Sequence, residues 1–284
     1  MKIVRTASRA TRLRNEPGRP LVLVPTMGAL HAGHLSLIEK ARRLAGPRGR
    51  VVVSIFVNPA QFGAGEDYSR YPRPFPRDRR LCEEAGVDVL FHPEPDVMYP
   101  AEFSTYVNEE RISLGLCGLS RPGHFCGVCT VVLKLFNIVA PDAAVFGEKD
   151  YQQVAVIRRM ARDLNVPIRV VTAPTVREAD GLALSSRNAY LRPEERAQAP
   201  VIRRALLKAR EAESVSPAEL TRQVRREIAA APLAKIDYIA VLDARTLDKP
   251  GPNTGELVIA CAVWFGRTRL IDNIHKKACN PHKH

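Results

Sequence analysis

Acid is scarce in this sequence: 30 Asp and Glu stand against 43 Lys and Arg, a formal net charge of +13. Apolar runs are short, and none approaches the roughly 20 residues of a membrane helix. That sets aside a membrane-spanning reading, and a chain 45% hydrophobic and 26% charged reads as a soluble globular protein. No Walker A pattern occurs, and no GxGxxG follows the first apolar strand, which weakens the P-loop and dinucleotide readings. Aromatic-interleaved basic stripes and RNA-module signatures are missing too. The six cysteines are Cys82, Cys117, Cys126, Cys129, Cys261 and Cys279, with a single CxxC at Cys126 and Cys129. Zinc sites generally pair two such knuckles. Although Cys117 and His124 lie nearby, "FCGVCTVVLKLFNIV" reads as a buried helix in which Cys is a small hydrophobe.

The basic excess is local. Residues 1–20 carry six bases and one acid, residues 203–227 seven and four, and residues 267–284 five and one; together they hold twelve of the thirteen net charges. A basic surface attracts polyanions, so an RNA-binding protein is the alternative from a different class. A solvated Arg-rich face is the simpler reading, with no nucleic-acid partner. The Arg-rich, acid-poor start faintly resembles a transit peptide. A short strand ("KIV") followed by a helix from Ser8 to about Asn15 accounts for it better, and the expected location is cytoplasmic.

A length of 284 residues suits one large or two medium domains. Strands and helices alternate through the first part. "RPLVLVP" is an apolar strand and "HLSLIEKARRLA" a helix with apolar residues at helical spacing. "RVVVSIFVN" is apolar on both faces, as a buried parallel strand requires. "PAQFGAGEDYSRYPRPFP", with four prolines and two glycines, is a loop. A helix ("RDRRLCEEAG"), a strand ("VDVLFHP"), the Cys-containing helix from about Phe125 to Val139, a strand ("AAVFG"), a helix ("DYQQVAVIRRMARDL") and a strand ("IRVVTAP") follow. The expectation is α/β: a Rossmann-like, doubly wound parallel sheet. After Pro174 the character changes. Two helical stretches, the second opening with a capping box of Ser216, Pro217 and Glu219, precede strands "KIDYIAVLDA", "ELVIACAVWFG" and "TRLIDNI", the last two a hairpin. This predicts a smaller α+β C-terminal domain over 176–284, after a nucleotide-binding domain over 1–175.

In an open parallel sheet, ligands bind beyond the carboxyl ends of the strands. "PTMGALHAGH", "NPAQFGAG", "GEKDYQQ" and "READGLALSSRN" all fall there and describe one site. HxGH at a helix start offers free backbone N–H groups and a dipole that favour phosphate. That dipole disfavours imidazolium, so neutral rings donating one N–H suit the place. Gly33 admits a ligand close to the backbone. His31 and His34 share a helix face, and a third strong metal ligand is not evident. Taken alone, the pair fits phosphate binding or plain packing.

PTMGALHxGH, FVNPxQF, RPGHF, GEKDYQQ and SSRN, in this order and on matching elements, resemble the pantothenate synthetase (pantoate–β-alanine ligase) family of the HxGH nucleotidyltransferase superfamily. The resemblance runs to "RLIDNI". It implies that ATP and pantoate give pantoyl adenylate and pyrophosphate, after which β-alanine attacks the acyl carbon. It also implies catalytic roles at the α-phosphate for His34, Lys149, Ser185, Ser186 and Arg187, with His31 beside them. Asp150 and Gly147 match ribose contacts and Val176 an adenine contact. Pro25, Thr26, Met27 and Leu184 complete the ATP pocket. Gln61 and Gln153 match the pantoate clamp, with Asn58 and Met27 next to it. SSRN looks like a mobile phosphate loop, and residues 62–76 could join it as a lid. Mg²⁺ would ride on ATP phosphates rather than sit in a protein cage, and a homodimer is implied. The rival enzyme reading is another HxGH nucleotidyltransferase acting on a phosphorylated cofactor precursor.

Three departures from the family pattern stand out. Leu184 replaces a common Met, a swap that conserves volume. Cys117 falls where many relatives carry Glu. Cys126 and Cys129 replace other residues and could bring sensitivity to oxidation.

Overall fold

The computed structural model describes residues 1–214 and 216–278; Cys279 and the last base of the C-terminal charged segment, Lys283, lie outside them. The chain opens with β1 (Lys2–Val4) and α1 (Ala7–Thr11), which tightens into a 3₁₀ turn over Arg12–Asn15. Then come β2 (Leu21–Thr26), α2 (Ala32–Ala45), β3 (Arg50–Ile55), α3 (Phe75–Glu84) and β4 (Val89–Phe91). Helix α3 begins two residues earlier than "RDRRLCEEAG" suggests, because Pro76 is tolerated in a first helical turn. Two one-turn helices, α4 (Pro95–Met98) and α5 (Cys117–Ser120), lead to α6 (His124–Val139), β5 (Ala143–Gly147), α7 (Tyr151–Asp163) and β6 (Arg169–Ala173).

All six strands run parallel in the order β1-β4-β3-β2-β5-β6. Side-chain alternation sets the layers. Leu21 and Leu23 of β2, Val52 of β3 and Phe146 of β5 bury against the layer that holds α1, α6 and α7. Their neighbours Val22, Val24, Val51, Val53 and Val145 bury on the opposite face, against α2 and α3. With helices on both faces, this is the doubly wound sheet expected. From β2 the chain moves outward through β3 to β4, then returns to the other side of β2 as β5. The carboxyl ends of β2 and β5 therefore flank the switch point, where a doubly wound sheet leaves a crevice.

Residues beyond β6 build a third core. Helices α8 (Pro193–Gln198), α9 (Val201–Glu211) and α10 (Pro217–Ala229) precede the antiparallel β7 (Ala234–Asp243), β8 (Glu256–Phe265) and β9 (Thr268–Lys277). Leu206, Val224 and Ile228 pack on Val241, Ile259 and Val263, covering one face of this sheet. The capping box expected at Ser216 does not form. Ser216 makes no side-chain cap; its N–H donates to Ser214 Oγ (3.1 Å), and the Ser214 hydroxyl takes the Glu219 carboxylate. Ser214 precedes the cap position, so the Glu219 carboxylate is already held before it can turn back to the Ser216 N–H.

The sheets are tied together by polar contacts close to the crevice. Arg177 donates to both oxygens of buried Asp272 on β9 (2.7 and 2.9 Å), and Asn273 Nδ2 donates to the carbonyls of Glu148 and Lys149 (both 3.0 Å). Removing one partner of a buried ion pair strands the other charge. Arg177→Met should therefore cost about 3–5 kcal/mol by denaturant unfolding, and adding Asp272→Leu should recover most of it.

Candidate active site

The site begins where β2 ends. The Thr26 hydroxyl donates to the Ser54 carbonyl (2.8 Å) and accepts the Gly28 N–H (3.2 Å). Gly28 (φ 81°) and Ala29 (φ 51°) then turn the chain through the left-handed region, and the next two residues bring it to His31, the N-cap of α2. His31 Nδ1 accepts the Gly33 N–H (3.1 Å), and His34 Nδ1 accepts the His31 N–H (3.3 Å), with ring centroids 4.1 Å apart. Since both Nδ1 atoms accept, each neutral ring carries its proton on Nε2. Burial lowers both pKa values, His31 to about 4 with Lys149 adding to it, and His34 to about 3 with His31 and Lys149 adding.

This changes one expectation. The backbone N–H groups of His31 and Gly33 are not free for a ligand, because the imidazoles consume them. The two Nε2–H groups join the donors on offer at this helix start. Gly33 likewise serves its own motif: a Cβ there would sit 2.8 Å from His31 Cε1, so what approaches the backbone is the histidine ring.

Across the crevice, Gly147 ends β5 and a 3₁₀ turn over Glu148–Asp150 leads into α7. Asn273 pins this turn by its carbonyls, and Thr172 Oγ1 donates to the Glu148 carboxylate (2.9 Å). The backbone is thus held while the side chains of Lys149, Asp150 and Gln153 make no hydrogen bond or ion pair among the described residues.

Asn58 follows β3 and is 1% exposed. Its Nδ2 donates to Gln61 Oε1 (3.0 Å) and the Gly127 carbonyl (3.1 Å), while its Oδ1 accepts from Tyr99 (2.7 Å) and the Ala60 N–H (3.3 Å). Its polar atoms are therefore engaged within the protein. Asn58 lines the cavity and orients Gln61, whose Nε2 lies 3.1 Å from Met27 Sδ. Gly127, inside the CxxC, permits this geometry: a Cβ there would come within 2.1 Å of the Ala60 carbonyl. Cys126 and Cys129 flank that close approach, and burial pushes the Cys129 thiol up to about 12.

Ser185 caps a 3₁₀ turn over Ser186–Tyr190 by accepting the Arg187 N–H (3.3 Å). Asn188 ties the turn to Glu178 (2.8 Å) and the Ala183 carbonyl (3.2 Å). Arg187 holds Asp67 through two bonds (3.0 and 2.9 Å), and Ser186 Oγ meets Tyr71 Oη at 3.2 Å. Burial raises the Asp67 carboxyl, but the bonded guanidinium more than offsets it and holds the group below its ordinary value. A second clamp joins Arg121 to Glu66 (2.7 and 2.6 Å), while His124 Nδ1 donates to the Gln61 carbonyl (2.8 Å) and its Nε2 accepts from Arg121 (3.1 Å).

All the residues singled out from the sequence line one cavity of about 240 Å³: Pro25, Thr26, Met27, His31, His34, Asn58, Gln61, Gly147, Lys149, Asp150, Gln153, Val176, Leu184, Ser185, Ser186 and Arg187. It adjoins a chamber of about 860 Å³, walled by Tyr238, Trp264 and Arg269 of the second sheet and sharing Lys149, Gln153 and Arg187 with the cavity. Cys117 lines the chamber, 3.4 Å from Tyr238 Oη and 3.5 Å from Arg269. Sequence reasoning gave no individual role to Asp67, Tyr71, Arg121, His124 and Asn273. Arg121 and His124 stand in the RPGHF motif and Asn273 in RLIDNI, while Asp67 and Tyr71 fall in the loop over 62–76 that was expected to join the lid.

Comparison with known proteins agrees in extent as well as in motif. A family profile described as pantoate-beta-alanine ligase matches residues 1–275. Pantothenate synthetase of Heliobacterium modesticaldum is 54% identical over 274 residues, spanning 95% of this chain and 96% of that protein. The Moorella thermoacetica protein of that name is 55% identical over 263 residues, 90% of this chain and 91% of its own. The crystal structure of pantothenate synthetase from Thermus thermophilus superposes with a TM-score of 0.91 at 49% identity, over 96% of this chain and 99% of that one. Pantoate-beta-alanine ligase from Francisella tularensis, crystallised with beta-gamma ATP and beta-alanine, gives 0.79 at 36% identity, over 96% and 97%.

Two predictions follow from this geometry. Gly127→Ala should displace the Pro59–Gln61 turn and so lower stability by about 1–3 kcal/mol in urea unfolding, the usual overpacking range. The second concerns pH. Burial also lowers His124 to about 4, with Arg121 adding to it. An unfolded chain binds protons at these three histidines near 6.5, but the native fold does so only near 4 or below. Stability should thus be complete above pH 6.5 and fall as the pH drops toward 4. A urea midpoint that stayed constant over that window would exclude this account.

Proposed function

The chain belongs to the pantoate–β-alanine ligase family, and we propose that this ligase joins pantoate to β-alanine through a pantoyl-adenylate intermediate formed in the 240 Å³ cavity. The observation that carries the reading is the meeting of two neutral imidazoles and Lys149, unpartnered among the described residues, with the amides of Gln61 and Gln153. One group of residues suits phosphate and the other a neutral-donor clamp for a hydroxy acid.

In the first step a pantoate carboxylate oxygen attacks the α-phosphorus of ATP. The bond from that phosphorus to the bridging oxygen breaks, and pyrophosphate leaves. Charge builds on the phosphate oxygens, where the Nε2–H groups of His31 and His34, the Lys149 ammonium, the Ser185 and Ser186 hydroxyls and Arg187 can donate. The two imidazoles are already held by the helix cap, so little reorganisation of them is needed. Asp150 and Gly147 suit the ribose, and Val176 and Leu184 the adenine, with Pro25, Thr26 and Met27 closing the wall. Gln61 and Gln153 hold pantoate without a positive charge that would quench its carboxylate. In the second step the β-alanine nitrogen attacks the acyl carbon, a C–N bond forms, and the bond to AMP breaks.

Mg²⁺ would arrive on ATP and help neutralise its phosphates. The cavity's imidazole, ammonium, guanidinium and hydroxyl donors suit the phosphates that would carry the ion. We read 176–284 as the covering unit. The contacts of Arg187 with Asp67 and of Ser186 with Tyr71 support a lid made jointly by SSRN and residues 62–76, excluding water from a hydrolysable intermediate. The exposed apolar side chains Tyr106, Leu114 and Leu119, 56–76% accessible, support a homodimer. No helix among the described residues is long and apolar enough to cross a membrane. Five free cysteines among the described residues suit a reducing compartment, and we assign the cytoplasm.

Pantoate-dependent exchange of labelled pyrophosphate into ATP, with Mg²⁺ present and β-alanine absent, is the decisive measurement. Exchange establishes the acyl adenylate. Its absence from folded protein, with no product after β-alanine is added, would direct the search to phosphorylated acceptors. Lys149→Ala and His34→Ala should each reduce exchange at least 100-fold in a folded enzyme, while Gln61→Ala should raise the KM for pantoate. Full activity in Lys149→Ala would sink the phosphate assignment.

A further inference from the structure

We propose that Asp78 is a positioning residue for adenylation, holding the turn that presents His31 and His34; this rests on the functional reading of that pair. Asp78 lies in the first turns of α3, outside every motif quoted above, and is 1% exposed. Its two oxygens accept the N–H groups of Ala29 (2.7 Å) and Leu30 (2.8 Å), and among the described residues it has no cationic partner within ion-pair distance. A buried carboxylate bonded only to amides is an expensive way to pack a helix. What it accomplishes is local. Ala29 sits at φ 51°, a conformation that a Cβ disfavours, and Gly28 beside it leaves only 3.0 Å between its missing Cβ and Asp78 Oδ2.

From there a short relay reaches the imidazoles. The turn fixes the Leu30–His31 peptide, whose N–H holds His34 Nδ1. The same residue places the His31 ring, whose Nδ1 takes the Gly33 N–H. If Ala29 relaxed to negative φ, both Nε2–H groups would be re-aimed together. Gln61 and Gln153 stand on other elements, after β3 and on α7, and would not move. Apart from Met27, which precedes the turn and meets Gln61 Nε2 through its Sδ, Asp78 thus acts on the phosphate side of the cavity.

The test is Asp78→Asn, which keeps volume but turns one acceptor into an NH₂ facing an N–H. Pyrophosphate exchange should lose about 100-fold in kcat, the usual consequence of a misplacement of about 1 Å, with the KM for pantoate within about twofold of wild type. Histidine ¹⁵N NMR should show His31 and His34 as single Nε2–H tautomers in the wild type and as mixtures in the variant. Adding Ala29→Gly, which makes the left-handed turn inexpensive, should restore about tenfold of the loss. Wild-type exchange in Asp78→Asn would overturn the proposal, as would lost exchange with unchanged histidine signals and no rescue by Ala29→Gly. If Asp78→Asn does not fold and the double variant does not fold either, Asp78 serves only the packing of α3 and the proposal fails. Absence of exchange in the wild type would count against the functional reading instead, and the NMR comparison would still decide whether Asp78 controls the two rings.

Discussion

Two imidazole nitrogens accepting two backbone N–H groups at the start of α2 set the terms for the rest of the site. A helix start leaves its first N–H groups without partners, and Ser, Thr, Asp or Asn normally satisfies one of them. Here the cap is built from rings whose far nitrogen then carries the proton. The amide donors are in effect traded for imidazole donors that project farther from the helix. The trade works only with neutral rings, since a proton on either Nδ1 would break the cap, and burial keeps them neutral.

The fold supplies the location. Strand order reverses between β2 and β5, and the crevice opens at their carboxyl ends. The histidine cap follows one strand and the Lys149 turn the other, so groups more than a hundred residues apart meet without a long loop. The second sheet finishes the site from across the crevice. Asn273 takes the carbonyls of the Lys149 turn, and the Arg177–Asp272 pair anchors β9 beside it. Lys149 is left with its backbone held and its ammonium unpaired among the described residues.

Charge in the cavity is managed unevenly. Arg187 and Arg121 each have a carboxylate partner, Asp67 and Glu66, neighbours on one loop. Lys149 has none among the described residues. In the proposed site, a polyphosphate would meet Lys149, without a partner among the described residues, and two committed cations. Any contact it makes with Arg187 must share or displace Asp67, which couples nucleotide binding to the conformation of residues 62–76.

Much of this was legible in the chain. Apolar alternation in β2 and β3, helical spacing in α2 and α7, and the motifs at strand ends identified the sheet, the rim and the side chains of the cavity, because periodicity and turn chemistry are written within a few residues. The local reading failed where the partner was distant or unexpected. The cap expected at Ser216 lost to Ser214, and two of the N–H groups of HxGH, those of His31 and Gly33, went to its own rings. The loop that holds Asp67 and Tyr71 was flagged as a lid but not these two side chains, and Asp78 was invisible, being an ordinary residue in a polar helix. The sequence by itself determined the elements and the chemistry they carry. Tertiary structure alone decided which donor meets which acceptor, since a hydrogen bond depends on distances of about 3 Å between groups that only packing brings together.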